Sequence, residues 1–469
     1  MKLKNILQAV LLSAIVILSS CKKDKDATPG PLDCAGVEYG IAAADDCGVC
    51  HSSYMYDMIT HQSTPVGTYA DTVGMSGMFV LAGSTMDLAA NPMWNASCYL
   101  FTDSEGASTV AYGGQTARLN MASELGSALS SNVTEAMLND MFMNTNSPFA
   151  DADLNASTKN IGGKTASAAE PTISASEQAA VITAIQGWFS TYANEVAPIS
   201  GGNAVDNPAS AGVPGFIDNR ELDGKGLEYD QVVIKTLIGA LCLQQVAHDY
   251  LTKMDVDNVE RNPDSTGYAG QVCTKREHYY DEAFGYVYGM DADPLTAAFE
   301  EIAGNKYEFL GKYLAKHNAN NQYSGVDYVN IVYDAFKMGR AAVVAECEDE
   351  LNAQIDIINN ALSDVVAWHA EGYLRSSTNY LDSLGNISSP SYFHYVSEAW
   401  GFVRALEFTK STNYTFSATD VQNMITTLDA NGAGAWGLTD AHLIGLADEI
   451  QAKTGLPTAT SFTNLVGLE

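Results

Sequence analysis

"HYYDEAFGYV" at His278–Val287 and "HYVSEAWGFV" at His394–Val403 are two copies of one pattern, H-Y-x-x-E-A-[FW]-G-[YF]-V, offset by 394 − 278 = 116 positions. Six identities and two aromatic-for-aromatic exchanges in ten residues point to an internal duplication of helical units. His278 and Glu282 are four apart, as are His394 and Glu398, so on a helix each pair shares one face, one turn apart. The Gly behind each pair would let a second helix approach closely.

Working outward, the sequence around both copies reads as helix. Leu119, Ala122, Leu125 and Leu129 repeat at helical spacing after a Gly113-Gly114 turn. Thr134 stands as N-cap before "EAMLNDMFMNT", and Ser174 with Glu177 makes a capping box ahead of a helix reaching Val196. Residues 197–215 are a Gly/Pro/Ser/Asn loop, read as a surface insertion. Leu227–Met254 predicts roughly eight helical turns, apolar on more than one face and therefore central. Thr296–His317 reads as a further helix, and Asp327–Arg375 as one very long helix or two joined by a tight turn. Residues 420–428 and 439–454 close the helical series, with Gly455 as the stop. Strand signals are sparse, so the class is all-α, built from bundles.

The chain carries 24 Lys+Arg against 56 Asp+Glu, a formal net charge of −32. Nucleic acid is therefore excluded as an expected partner, since phosphate would be repelled over most of the surface. The N-terminus places Lys2 and Lys4 before an apolar run from Ile6 to Leu18, too short to span a bilayer, ending in "LSSC". That ending resembles the lipobox of bacterial lipoproteins, which implies cleavage before Cys21 and acylation of that residue, with the membrane as partner through the lipid. Residues 21–32 then form a charged, Pro/Gly-bearing tether whose Lys/Asp cluster resembles a surface-export signal. The expected address is the outer membrane, facing the periplasm or the cell surface.

"LDCAGVEYGIAAADDCGVCH", Leu32–His51, admits two readings. Cys47, Cys50 and His51 fit Cys-x-x-Cys-His, the attachment pattern of c-type haem, with Met55 and Met58 as second-ligand candidates. The whole stretch also resembles a Cys-rich repeat of secreted bacterial proteins, D-C-x-G-V-x-x-G-x-A-x-x-D-D-C-G-V-C, over Asp33–Cys50. Without haem-burying helices nearby, the disulfide reading leads and haem c is disfavoured. Three local cysteines, Cys34, Cys47 and Cys50, cannot all pair among themselves, so one needs a distant partner such as Cys98 or stays free. Residues 52–97 read as irregular, with short strands allowed.

"GGQTARLNM" (113–121), "NTNSPF" (144–149), "GLEYDQVVIKTLIGAL" (226–241) and the two His-Tyr motifs together resemble the imelysin-like family of bacterial envelope lipoproteins, over residues 98–469. The resemblance implies two four-helix bundles related by a pseudo-twofold, with halves about 98–320 and 321–469. It also implies a role in iron or haem acquisition. The family's G-x-H-x-x-E motif is not carried over: none of the eight histidines here has Glu at the third following position. "WHAEG", with His369 and Glu371, and the two His-x-x-x-Glu pairs stand nearest to it.

His-Glu-x-x-His, Gly-x-Ser-x-Gly and P-loop patterns are absent from the sequence. The expected function is a non-catalytic envelope binding lipoprotein. The alternative is a metal-dependent hydrolase or a c-type haem redox protein. For a ligand, a divalent metal or iron, the sharp expectation joins His278, Glu282, His394 and Glu398 in one site between bundles. Glu228 could line the same cleft, and His369 and Glu371 are further candidates. The competing reading has each His and Glu satisfied inside its own bundle.

Overall fold

The computed structural model describes residues 30–44, 50–57, 62–75, 78–80, 99, 101, 108–167, 173–255, 273–290, 308–319, 326–345 and 348–459. Cys21, Cys47, Cys98 and Met58 lie outside these residues.

The Cys-rich segment is a knot of turns. Asp33 opens the motif, and its carboxylate accepts from the backbone N–H of Val37, Ala42 and Ala35 at 2.8, 3.0 and 3.0 Å. Gly36 supplies the positive φ, +76°, that the turn inside this knot needs. Strands β1 (Ala43–Ala44) and β2 (Cys50–His51) pair antiparallel, and a disulfide joins Cys34 to Cys50. The disulfide reading thus holds at Cys34 and Cys50, and a thioether to haem at the Cys50 sulfur and this disulfide exclude each other. His51 lies on β2 opposite Ala43. Next comes a three-stranded antiparallel sheet, order β4-β3-β5, from β3 (Ser53–Asp57), β4 (Gln62–Val66) and β5 (Met78–Val80).

The body is helical. In chain order it comprises α1 (Gly113–Ala128), α2 (Glu135–Met143), α3 (Ala152–Ala156) and α4 (Ala175–Thr191), then a hairpin of β6 (Gly215–Ile217) and β7 (Arg220–Leu222). After it come α5 (Tyr229–Leu237), α6 (Lys275–Tyr288), α7 (Phe309–Ala319) and α8 (Tyr328–Ala345). The series ends with α9 (Glu348–Thr378), α10 (Ser391–Ala405), α11 (Ala418–Leu428) and α12 (Asp440–Thr454). The caps read from sequence form. Thr134 Oγ1 accepts from Met137 N–H, the Ser174/Glu177 box is reciprocal, and Gly455 closes α12 at φ +70°. The Gly113-Gly114 pair differs from expectation: it forms the first turn of α1 instead of preceding it.

The long central helix also differs in detail. After α5 the chain stays helical but widens into π-type turns at Ile238–Leu243 and Gln245–Asp249. Around this widening, Gly239 lets α10 pass close: a Cβ there would lie 2.4 Å from Ala405 Cα.

The 31-residue α9 is the hub and packs against α8, α10 and α12. At 1.5 Å per residue it is about 46 Å long. Its buried Asp364 accepts the hydroxyls of Tyr328 and Tyr414 at 3.0 and 2.9 Å, tying α8 and the chain after α10 to it. Helix pairing is interleaved in sequence: α1 packs on α6, and α5 packs on α10. One apolar core runs from Tyr99 to Ala459 through all of these helices.

Candidate functional site

The two motif copies occupy equivalent surroundings. A Cβ on Gly285 of α6 would lie 3.0 Å from Gln115 Cβ of α1, and one on Gly401 of α10 would lie 2.4 Å from Lys235 Cβ of α5. The residue seated on each glycine also reaches the motif Glu. Gln115 Nε2 donates to Glu282 Oε1 at 2.9 Å, and Lys235 Nζ meets Glu398 Oε1 at 3.0 Å. A tyrosine hydroxyl completes each carboxylate, Tyr250 to Glu282 at 3.2 Å and Tyr313 to Glu398 at 3.1 Å. His278 Nε2 and His394 Nε2 each stand 3.7 Å from their Glu. The fourth motif position holds the entry to the partner helix in both copies. Asp281 accepts Ala111 N–H at 3.3 Å, and Ser397 Oγ accepts Glu228 N–H at 2.9 Å.

The copies differ at the residue seated on the motif glycine, an uncharged Gln115 in the first and a charged Lys235 in the second, while the first keeps its own buried ion pair between Asp281 and Arg340 at 2.8 Å. At the entry to α5, Asp223 accepts from the N–H of Lys225 and Leu227, both at 2.9 Å, and from Tyr229 Oη at 2.8 Å. Gly226, at φ +79° against Phe393, turns the chain there. This fixes Glu228 beside α10, where His394 Nδ1 donates to its Oε2 at 2.8 Å. Arg220, on β7, pairs with Glu228 Oε1 at 3.2 Å. A chain of alternating nitrogen groups and carboxylates results: Arg220, Glu228, His394, Glu398, Lys235. The two carboxylates are only 6% exposed and Lys235 10%.

Low permittivity makes these neighbours matter. Burial raises the Glu398 carboxyl, but Lys235 and His394 outweigh it and hold its pKa far below the usual range. Burial likewise opposes the charge on Lys235, and Tyr313 and Glu398 outweigh it, so its pKa rises. Asp230 is pushed up to about 6, by burial first and by the charge of Glu228 second.

A cavity of about 380 Å³ opens at the lysine end of the chain, between α1, α5 and α7. Its walls include Ser127, Asp230, Lys235, Glu308, Lys312 and Tyr313, so both signs of charge and several hydroxyls face one space. Such a lining suits a small polar molecule with both charges.

The remaining candidates lie elsewhere. His369 is buried in α9; its Nδ1 donates to Val365 O at 2.8 Å, and its ring stacks on Phe402 with centroids 5.5 Å apart. Burial pushes its pKa down to about 3, leaving it neutral. Glu371 points to other company, accepting from Arg375 Nε at 2.7 Å and Ala459 N–H at 3.2 Å. Among the described residues no three His, Cys, Asp or Glu side chains converge on a point that could hold a metal ion. The structure therefore does not bring His278, Glu282, His394 and Glu398 to one point as expected; Glu282 and Glu398 each have partners of their own through Oε1, and His369, Glu371 and Glu228 have the partners given above.

Lys235, Tyr313, Lys312 and Arg220 are the site residues that sequence reading missed. Lys235 had a signal, since a lone lysine inside "VVIKTLIGAL" is anomalous unless paired. Tyr313 had none.

Comparison with curated proteins and with solved structures finds no match. The profile of the family described as "Domain of unknown function (DUF4856)" matches residues 96–457, which takes in every helix of this site, and the chain belongs to that family.

Proposed function

We propose that this chain is an envelope-anchored lipoprotein that binds, without transforming, a small polar ligand carrying both charges. The observation that carries the reading is the Arg220–Glu228–His394–Glu398–Lys235 chain and the cavity at its end. Its two carboxylates, Glu228 and Glu398, are paired with the two end cations, Arg220 and Lys235. A carboxylate held ionised by Lys235 and His394 is a poor general acid or base near neutral pH, but it fixes Lys235 rigidly for binding. Asp230 and Lys312, less enclosed, would meet the ligand's ammonium and carboxylate.

The anchor rests on the basic start, the short apolar run and "LSSC" before Cys21. No described helix is long and apolar enough to cross a membrane. The proposed address is the outer membrane, on its periplasmic or outer face. Iron or haem acquisition, which the imelysin resemblance implies, would be the wider role of such a binder and not the work of a His-carboxylate metal centre in this cavity.

Thermal unfolding of the purified chain with free amino acids, glycine betaine, ferric ion, zinc and haemin tests the reading. A zwitterion is expected to raise the Tm in proportion to the logarithm of its concentration, as mass action requires. Asp230→Asn and Lys312→Met should abolish the shift. A response to metal or haemin alone sinks the zwitterion reading, and so does a zwitterion response that survives both substitutions.

A further inference from the structure

On another side of α5, a long groove runs between α4 and α10–α11. Two cavities compose it, of about 410 and about 570 Å³, and they share Ala184 and Trp188 in their walls. Helix α4 contributes one face, Glu177, Val181, Ala184, Trp188 and Thr191, at steps of three and four along the chain, and Glu195 follows in the π-type turn Tyr192–Val196. At 1.5 Å per residue the helical part of that face is about 21 Å long. Trp188 is half-buried at its middle, and Trp400 of α10 lines the larger cavity.

Buried polar atoms along the groove lack partners. Trp400 is 5% exposed and Thr236 2%, yet Trp400 Nε1 and Thr236 Oγ1 have no hydrogen-bond partner among the described residues, and neither does Arg404 Nε. A buried donor left unsatisfied costs about 1–3 kcal/mol, so such atoms along one open groove call for a ligand that completes them. The duplicated motif sharpens the point. Phe284 occupies the position equivalent to Trp400, and it is closed inside the core, stacked on Tyr99 with centroids 3.8 Å apart. The same position in α10 carries a tryptophan that lines a cavity.

We propose that this groove binds a neutral oligosaccharide chain. A sugar ring has an apolar C–H face that suits the flat, half-buried indole of Trp188. Its hydroxyls both accept and donate, so one hydroxyl can accept from Trp400 Nε1, Thr236 Oγ1 or Arg404 Nε and donate its own hydrogen to Glu407 or Glu195, which line the same groove. With a net charge of −32 the chain disfavours an acidic polymer.

Calorimetric titration of the purified full chain with maltohexaose, cellohexaose, laminarihexaose and mannohexaose tests this. Binding of at least one is expected, weakened at least about tenfold by Trp188→Ala and by Trp400→Phe. Phe is the residue the other motif copy uses, so Trp400→Phe retains the packing and keeps the test open if Trp188→Ala misfolds. Thr236→Val, which removes one unpartnered hydroxyl, should weaken the same sugar while raising the Tm of the free protein. No binding of any of the four at about 10 mM overturns the proposal, and so does binding that Trp400→Phe and Thr236→Val leave unchanged.

Discussion

Lys235 and Glu398 form a 3.0 Å ion pair inside the body, and the backbone that allows it is Gly401, on which the Lys235 Cβ sits. A buried pair of this kind contributes little net stability over an apolar pair, but removing one partner strands the other. Lys235→Met is therefore expected to destabilise the chain by about 3–5 kcal/mol in urea unfolding, and adding Glu398→Gln should restore most of the loss. Gln115→Met, the corresponding change in the first copy, removes an uncharged donor and its hydrogen bond to Glu282 without stranding an opposite charge, and should cost about 1–3 kcal/mol. Equal losses at the two positions would contradict the charge difference between the copies.

The motif glycines give a steric prediction. A Cβ on Gly401 meets Val232 O at 2.9 Å besides Lys235 Cβ, and one on Gly285 meets Tyr112 Cβ at 2.4 Å. Gly285→Ala and Gly401→Ala should each cost about 1–3 kcal/mol by forcing two helices apart. Gly445, exposed within α12, has nothing within 4 Å of a new Cβ. Gly445→Ala should accordingly stabilise the chain by about 0.5–1 kcal/mol. Thermal melts of the three variants decide it, and a neutral Gly401→Ala would mean that α5 does not lie where it is described.

The duplication was legible because it makes demands on the backbone: a glycine where another helix crosses and a His-Glu pair one turn apart both leave marks in local sequence. All-α class, caps and the Gly455 stop were legible for the same reason. The charge chain was not. Tyr313 reaches Glu398 from 85 positions away, and Arg220 comes from a hairpin inside a stretch that adjoins a loop-like sequence. Nor could the pattern say whether two His-Glu pairs meet. The structure gives each carboxylate its own tyrosine and its own α1 or α5 partner, all through Oε1, and these tertiary partners are far away in sequence.

The disulfide makes a redox prediction. Digestion without reductant should release a peptide pair joined through Cys34 and Cys50. Chain produced alongside the cytochrome c maturation machinery should show no Soret band that survives denaturation, because the sulfur of Cys50 is already committed. A covalent haem peptide containing Cys50 would overturn both statements.

The last prediction concerns pH. Burial pushes the Glu371 carboxyl up to about 7, against the pull of Arg375 beside it. In an unfolded chain a glutamate releases its proton near ~4.3. Between these two values the native chain holds a proton that the unfolded chain has lost, so this group's contribution to stability falls as pH rises through the window and is constant outside it. Glu371→Gln removes the titration and keeps a carbonyl oxygen to accept from Arg375 Nε and Ala459 N–H. The stability of Glu371→Gln relative to the parent should therefore rise steadily from about pH 4.3 to about pH 7 and then level off. Urea unfolding at a series of pH values measures that difference directly. A difference that is flat across the window, or that falls with pH, would show that Arg375 and not burial governs Glu371.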